Sequence, residues 1–148
     1  MKTIFLAIDG VLVLDELSEL HPEFAHPFDK ECVFVLNQIL DETNAVIVLS
    51  STWKKVWDLK RLDMIFKFNG VIRSPLDVTS DLNNREKEII DYVQQNKISD
   101  FVILDDMKLV IFPKNFVKCN MSKGLKQYGI KDKIISILKN SPRPLKVS

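Results

Sequence analysis

The sequence has almost no net charge, because 21 lysines and arginines against 20 aspartates and glutamates leave +1 at pH 7. No overall field therefore recruits nucleic acid or an anionic membrane, and binding of a polyanion would need a local patch. The chain contains no internal repeats and no low-complexity blocks. It also lacks a long apolar stretch, which argues against a signal peptide and against a membrane span.

Cysteine is scarce, since only Cys32 and Cys119 occur, each inside an apolar run. The two residues provide neither a disulfide framework nor the spacing of a zinc site. We expect buried, reduced thiols, as is typical of a protein in a cytoplasmic, reducing compartment. His21 and His26 have no second pair of ligands, and we interpret them as loop or rim residues rather than as zinc ligands.

The apolar residues fall into short continuous runs separated by longer amphipathic segments. The runs predict buried strands at 3–8, 45–49 and 101–104, with additional short strands at 71–72, 109–112 and 116–119. The amphipathic segments predict helices at 29–43, 53–68 with one or two breaks, 85–95 and 122–139 with a break at Gly129. Strands alternating with helices predict an α/β fold, a three-layer, Rossmann-like parallel sheet flanked by helices.

The length of 148 residues suits one domain, which we predict over 1–140, followed by a tail or linker at 141–148. We expect this domain to be a monomer. Between the first strand and the first helix, 11–28 has no clean period, and we interpret it as an irregular flap.

Polar residues follow each of the three main apolar runs. They are Asp9-Gly10, Ser50-Ser51-Thr52 and Asp105-Asp106. In parallel α/β sheets, ligands bind just beyond the carboxyl ends of the strands, so these three groups should converge on one site. Each group by itself also suits an ordinary turn or helix cap.

Two adjacent carboxylates at the end of a buried strand, Asp105 and Asp106, would repel each other unless a positive charge lies between them. Magnesium suits one or two carboxylates together with water and a substrate phosphate, and Asp9 could add a further oxygen. The sequence therefore predicts Mg²⁺ as the cofactor, held by Asp9, Asp105 and Asp106.

The hydroxyls after the second strand, with the backbone N–H groups of the helix that follows, indicate an anion site. Candidate positive charges near such an anion are Lys54, Lys55, Arg85 and Lys87, and Arg85 is preferred because it lies in the first turn of a helix. Four aromatic residues at helical spacing are expected to belong to the core rather than to a base-stacking platform: Trp53, Trp57, Phe66 and Phe68.

The ordered set of motifs resembles that of the haloacid dehalogenase-like (HAD) phosphatases. In that family a first strand ends in D-x-D-G, a second ends in Ser or Thr, a basic residue precedes a helix, and another strand ends in Asp-Asp. The matching segments here are 5–12 (FLAIDGVL), 46–54 (VIVLSSTWK), 85–89 (REKEI) and 102–106 (VILDD). Over roughly residues 3–125 the chain is similar to the small, capless HAD domains of bacterial RNA-repair proteins.

The resemblance implies hydrolysis of a phosphomonoester through an aspartyl-phosphate, with the nucleophile at position 7. Asp9 would be the general acid and then the general base, and Ser50 would hold a phosphoryl oxygen. Arg85, or Lys87 as second choice, would offset charge on the transferring group. The remaining substrate-binding candidates are Gly10, Ser51, Thr52 and Lys54.

The chain departs from this pattern at its nucleophile, because position 7 is alanine. Alanine can neither attack phosphorus nor bind a metal, so we expect this chain to be close to inert. We interpret Ala7 as an engineered replacement of aspartate, since every other motif is intact. A natural pseudo-phosphatase that binds without turnover, and a shifted alignment, are the alternatives.

No segment is long enough for a folded cap domain, so we expect an open site that accepts a macromolecular phosphoester. A phosphoprotein carrying phosphotyrosine or phosphoserine is narrowly preferred, because near-neutral charge weighs against nucleic acid. A phosphorylated polynucleotide end is the alternative, favoured by the resemblance to repair domains. A binding module and a receiver-like signalling domain are the competing classes of function.

Overall fold

The computed structural model describes residues 1–14 and 26–139. The flap predicted at 11–28 lies partly outside these residues, and His21 and the tail predicted at 141–148 lie wholly outside them. The strands are β1 (Thr3–Leu6), β2 (Val46–Leu49), β3 (Asp77–Val78), β4 (Phe101–Asp105) and β5 (Phe116–Lys118). The helices are α1 (Lys30–Thr43), α2 (Leu59–Phe68), α3 (Arg85–Gln95) and α4 (Ile130–Lys139).

All five strands are parallel and lie in the order β3-β2-β1-β4-β5. On one face of the sheet, apolar side chains of α1, α2 and α4 form a core that includes Leu36, Leu62 and Ile134. On the other face, Ile89 of α3 packs with Phe5 and other residues of the sheet. The three-layer α/β fold predicted from the alternation of strands and helices is confirmed.

Two of the helices begin directly after a residue whose side chain caps them. Asp29 caps α1 by accepting the Cys32 backbone N–H at 3.0 Å, and Asn84 caps α3 by accepting the Lys87 N–H at 2.9 Å. Gly129 separates α4 from a short 3-10 turn and has a φ of +85°, so the predicted break occurs there. None of the helices in the described ranges is long and apolar enough to cross a membrane.

The edge strand β3 lies at Asp77–Val78, so the strand predicted at 71–72 is wrong. Ile72 is exposed, and its backbone N–H bonds to the side chain of Asn37 on α1 rather than to a strand. The edge is formed instead where Leu76 and Thr79 donate to carbonyls of β2, at 2.8 and 3.0 Å.

The strand predicted at 109–112 is also wrong. The backbone N–H groups of Val110 and Ile111 bond to the Glu86 carboxylate on α3, at 2.8 and 3.1 Å, and are unavailable to a sheet. β5 was predicted correctly at Phe116, although it ends one residue before Cys119.

Both cysteines are buried, as predicted from their apolar surroundings. Burial raises the pKa of the Cys32 thiol to about 11 and that of the Cys119 thiol to about 12. Both thiols are therefore protonated and poorly nucleophilic at neutral pH.

Candidate functional site

Ala7 lies at the centre of the predicted site, at the carboxyl edge of the sheet. β1 pairs with β2 and β4 through Leu6, and the same register continued by one residue sets Ala7 between Ser50 and Asp105. The backbone hydrogen bonds agree, because Ser50 N donates to Leu6 O and Ala7 N donates to Leu104 O, both at 3.0 Å. The three strand ends therefore meet.

Ser50 is fully buried, and its hydroxyl has no hydrogen-bond partner among the described residues. A buried hydroxyl without a partner costs free energy, so a native structure seldom keeps one without a reason. Ser50 is the cross-strand neighbour of Ala7, whose methyl group can neither donate nor accept a hydrogen bond. An anionic oxygen bound at this position would satisfy Ser50.

Arg85 is brought to the same edge by the first turn of α3. Its guanidinium forms an ion pair with the Asp105 carboxylate, which is fully buried. The other oxygen of Asp105 accepts the Met107 N–H at 3.0 Å. Burial raises the pKa of Asp105 above its ordinary value, while the Arg85 charge and the Met107 N–H oppose that shift. Arg85 thus offsets negative charge where β4 ends.

Two further carboxyl groups lie at this edge, Asp9 in the loop after β1 and Asp106 directly after β4. The side chain of Asp106 lies against Gly10, whose φ of +76° few residues with a side chain adopt. Asp9 is exposed, and its carboxylate accepts the indole N–H of Trp53 at 3.1 Å. Gly10 is therefore needed both for the turn and for the close approach of Asp106.

We expect Gly10→Ala to lower the free energy of unfolding more than Gly70→Ala does. Both glycines have similar positive φ values, +76° and +79°, so the left-handed conformation penalises both variants equally. A Cβ at Gly10 would lie 2.5 Å from the Asp106 side chain, whereas a Cβ at Gly70 would meet nothing within 4 Å. The difference, measured by urea denaturation, should be about 1–3 kcal/mol. Equal losses would contradict this account of the Gly10–Asp106 contact.

The candidate lysines differ in their surroundings. Lys54 is buried, and its Nζ lies 2.8 Å from Glu88 and 3.1 Å from the Thr79 hydroxyl, so its charge is used within the protein. Lys55 bonds to Asn83 at 3.1 Å at the surface, and Lys87 is exposed. Of the four cations proposed from the sequence, Arg85 is the one paired with a residue of the strand ends.

The segment after β2 differs from the continuous helix expected there. Thr52–Lys55 is one 3-10 turn, capped by Ser51, whose hydroxyl accepts the Trp53 N–H at 3.2 Å. A new helix, α2, begins after Asp58 caps it. So short a turn has little dipole, and any anion here would depend on individual hydroxyl and N–H groups rather than on a helix terminus.

Two cavities flank the strand ends. One of about 200 Å³ lies between the 3-10 turn and the start of α3, and Arg85 and Asn84 are among its lining residues. The other, of about 550 Å³, opens beside Asp9. Thr52 and Lys55 line both, so the two cavities adjoin across the 3-10 turn.

The oxygen donors at this edge suit magnesium better than a softer metal. The described parts of the chain contain no group of three or more metal-ligating side chains. Magnesium needs fewer, since it is commonly held by one or two carboxylates, water and a substrate phosphate. Asp106 is the better placed carboxylate, because both oxygens of Asp105 already accept hydrogen bonds.

A parallel α/β sheet with a serine, an arginine and paired aspartates at its strand ends defines the class of HAD-type hydrolases. Residues 3–129 match the family described as the HAD domain in Swiss Army Knife RNA repair proteins, and the chain belongs to that family. The resemblance drawn from the sequence motifs is thereby confirmed. Searches among curated proteins and among solved structures gave no match.

Two residues near the site escaped sequence reasoning. Trp53 was assigned only to the core, and although it is buried, its indole N–H also holds Asp9. Glu88, which pairs with Lys54 and accepts the Leu82 N–H at 2.8 Å, was not singled out. Glu88 follows Arg85 by three residues and lies on the buried side of α3, and this spacing could have indicated a charged residue near the site.

Proposed function

We propose that this domain carries a magnesium-dependent phosphomonoesterase site in which Ala7 occupies the nucleophile position. The chain as it stands then binds a phosphomonoester without hydrolysing it. The observation that carries this proposal is the buried Ser50 hydroxyl next to Ala7 in the sheet, which has no hydrogen-bond partner within residues 1–14 and 26–139. A phosphoryl oxygen would satisfy that hydroxyl, and Arg85 would offset part of the charge.

The residues have separate roles in the reaction that an aspartate at position 7 would allow. A carboxylate oxygen at position 7 forms a bond to phosphorus while the bond from phosphorus to the ester oxygen breaks, and Asp9 gives that oxygen its proton. Asp9 then takes a proton from the water that cleaves the aspartyl-phosphate. Asp106, with help from Asp105 and Asp9, would hold magnesium, and the ion would supply positive charge to the phosphoryl oxygens.

We propose a phosphorylated RNA end as the ligand, in place of the phosphoprotein preferred from charge alone. The family is named for RNA-repair proteins, and nothing in the fold or the site favours a phosphoprotein. The net charge of +1 does not oppose this ligand, because binding of a polyanion depends on local lysine and arginine contacts rather than on the overall charge.

The proposal is tested by calorimetry on the full chain at one stated salt concentration, with and without magnesium. The ligands are oligoribonucleotides phosphorylated at the 3′ or the 5′ end, the same oligonucleotides without the phosphate, and a phosphotyrosine peptide. We expect the terminal phosphate to increase affinity for RNA at least tenfold in the presence of magnesium, because it alone satisfies Ser50 and faces Arg85.

Ser50→Ala is the informative variant, and Ser99→Ala is its matched control. Ser99 is exposed and lies just before β4, at the edge of the sheet opposite the carboxyl ends of the strands. We expect Ser50→Ala to remove most of the gain due to the terminal phosphate and Ser99→Ala to leave it unchanged. Equal affinities for phosphorylated and unphosphorylated RNA would contradict the proposal, and phosphate-dependent binding of the peptide alone would restore the phosphoprotein hypothesis.

A further inference from the structure

The cavity of about 550 Å³ beside Asp9 has a wall that is mainly apolar. Trp57 is half-buried and Val56 is exposed, and both line the cavity together with the edge of Trp53. Lys55, which pairs with Asp81 at 3.4 Å on the surface, also lines the cavity. Concave, aromatic-lined cavities of roughly 300–1,000 Å³ with a few polar groups are typical of sites for small organic groups.

The interpretation of this cavity rests on the proposed function. Asp9 is the proposed donor of the proton to the ester oxygen, so the group that leaves with that oxygen lies on the Asp9 side. The cavity that opens from Asp9 therefore lies where the alcohol part of the phosphomonoester would be held. For a phosphorylated RNA end, that part is the terminal nucleoside.

Trp57 offers a flat aromatic surface at this place. The Arg61 guanidinium carbon lies 5.9 Å from the centroid of the Trp57 ring, a cation–π distance. That contact helps to hold the orientation of the indole before any ligand arrives. Single-stranded RNA is commonly bound by stacking of its bases on aromatic side chains, with cations beside the backbone.

We propose that this cavity binds the terminal nucleoside of the phosphorylated RNA end, with its base stacked on Trp57. Lys55, at the rim and adjoining both cavities, is placed to meet the next phosphate of the strand. Trp57 packs against the main core, as the sequence predicts, and in this proposal it also binds substrate.

The test compares two ligands on the unaltered protein first and on a Trp57 variant second. Full-length chain is titrated with an end-phosphorylated oligoribonucleotide and with the same molecule lacking only its terminal base, at constant salt and magnesium. We expect loss of the base to weaken binding about tenfold or more in the unaltered chain. In Trp57→Ala the two ligands should bind with nearly equal affinity.

Control variants distinguish a loss of base stacking from a loss of protein stability. Tyr128→Ala removes a fully exposed aromatic residue that does not line this cavity, and it should keep the preference for the base. Trp57→Leu keeps an apolar side chain for packing. If either Trp57 variant fails to fold, the ligand without its terminal base still tests the proposal on the unaltered protein.

Equal affinity of the unaltered chain for the two ligands, with the dependence on phosphate and on Ser50 retained, overturns the base subsite and leaves the proposed function standing. Loss of any dependence on phosphate or on Ser50 overturns both. Binding of the phosphotyrosine peptide that depends on Trp57, without binding of RNA, would assign the cavity to an aryl phosphate and overturn this inference.

Discussion

Ala7→Asp is expected to give this chain magnesium-dependent phosphatase activity, with hydrolysis of p-nitrophenyl phosphate rising at least a thousandfold above that of the unaltered chain. The change supplies a nucleophile between Ser50 and Asp105, at a position that the sheet register already defines. In the proposed reaction, Arg85 offsets charge and Asp9 transfers the proton. General acid–base catalysis alone contributes about 100- to 10,000-fold, and covalent catalysis adds to it.

The measurement compares initial rates with magnesium and with excess EDTA. Ala7→Asn is the control, because its amide has nearly the shape of aspartate but cannot act as the nucleophile. We expect this variant to stay inactive, and Asp9→Asn in the Ala7→Asp chain to lose most of the activity. An Ala7→Asp chain that is folded, binds a phosphorylated RNA end and still shows no hydrolysis would favour a natural pseudo-phosphatase over an engineered replacement.

Glu88→Ala is expected to lower the free energy of unfolding by about 3–5 kcal/mol, a large part of the stability of an ordinary domain. Glu88 and Lys54 form an ion pair at 2.8 Å in which each side chain is only 4 % exposed. Removal of one partner leaves a buried charge without compensation. Glu88 also accepts the Leu82 N–H, so the loop that leads into α3 and Arg85 loses an anchor.

Urea denaturation at pH 7 provides the measurement, and Lys67→Ala is the control. Lys67 pairs with Asp63 on the surface of α2, at 3.1 Å and with both side chains well exposed, so its loss should leave the unfolding midpoint nearly unchanged. A double replacement with apolar residues, Lys54→Met with Glu88→Leu, should recover much of the stability. Equal stability of Glu88→Ala and Lys67→Ala would show that the buried pair has no special importance.

The parts of the fold that the sequence predicted well are those with a strong local signal. β1, β2 and β4 are short continuous apolar runs, the pattern typical of strands buried on both faces, and all three are buried in the centre of the sheet. β3 has no such signal, because an edge strand of two residues is defined by the carbonyls of β2 to which its neighbours donate. The same reason explains the error at 109–112, where the Glu86 side chain takes the backbone N–H groups.

The candidate site likewise has a part that could be predicted from the sequence and a part that could not. Its residues at strand ends could be named from the sequence, since polar residues directly after buried strands meet at one edge of a parallel sheet. The partners of the charged groups could not be named, because Arg85 with Asp105 and Lys54 with Glu88 join segments far apart in the chain. Which lysine is buried and which is exposed is a property of packing.

By itself, the sequence determined the class of fold, the family and the edge of the sheet where the site lies, because apolar runs, caps and motif order are local properties. It also determined that position 7 has no nucleophile. Only the tertiary structure decided that the Ser50 hydroxyl is buried with no partner in the described part of the chain, and that Trp57 lines a cavity beside Asp9. Both facts depend on which distant segments pack together, and spacing along one chain does not contain that information.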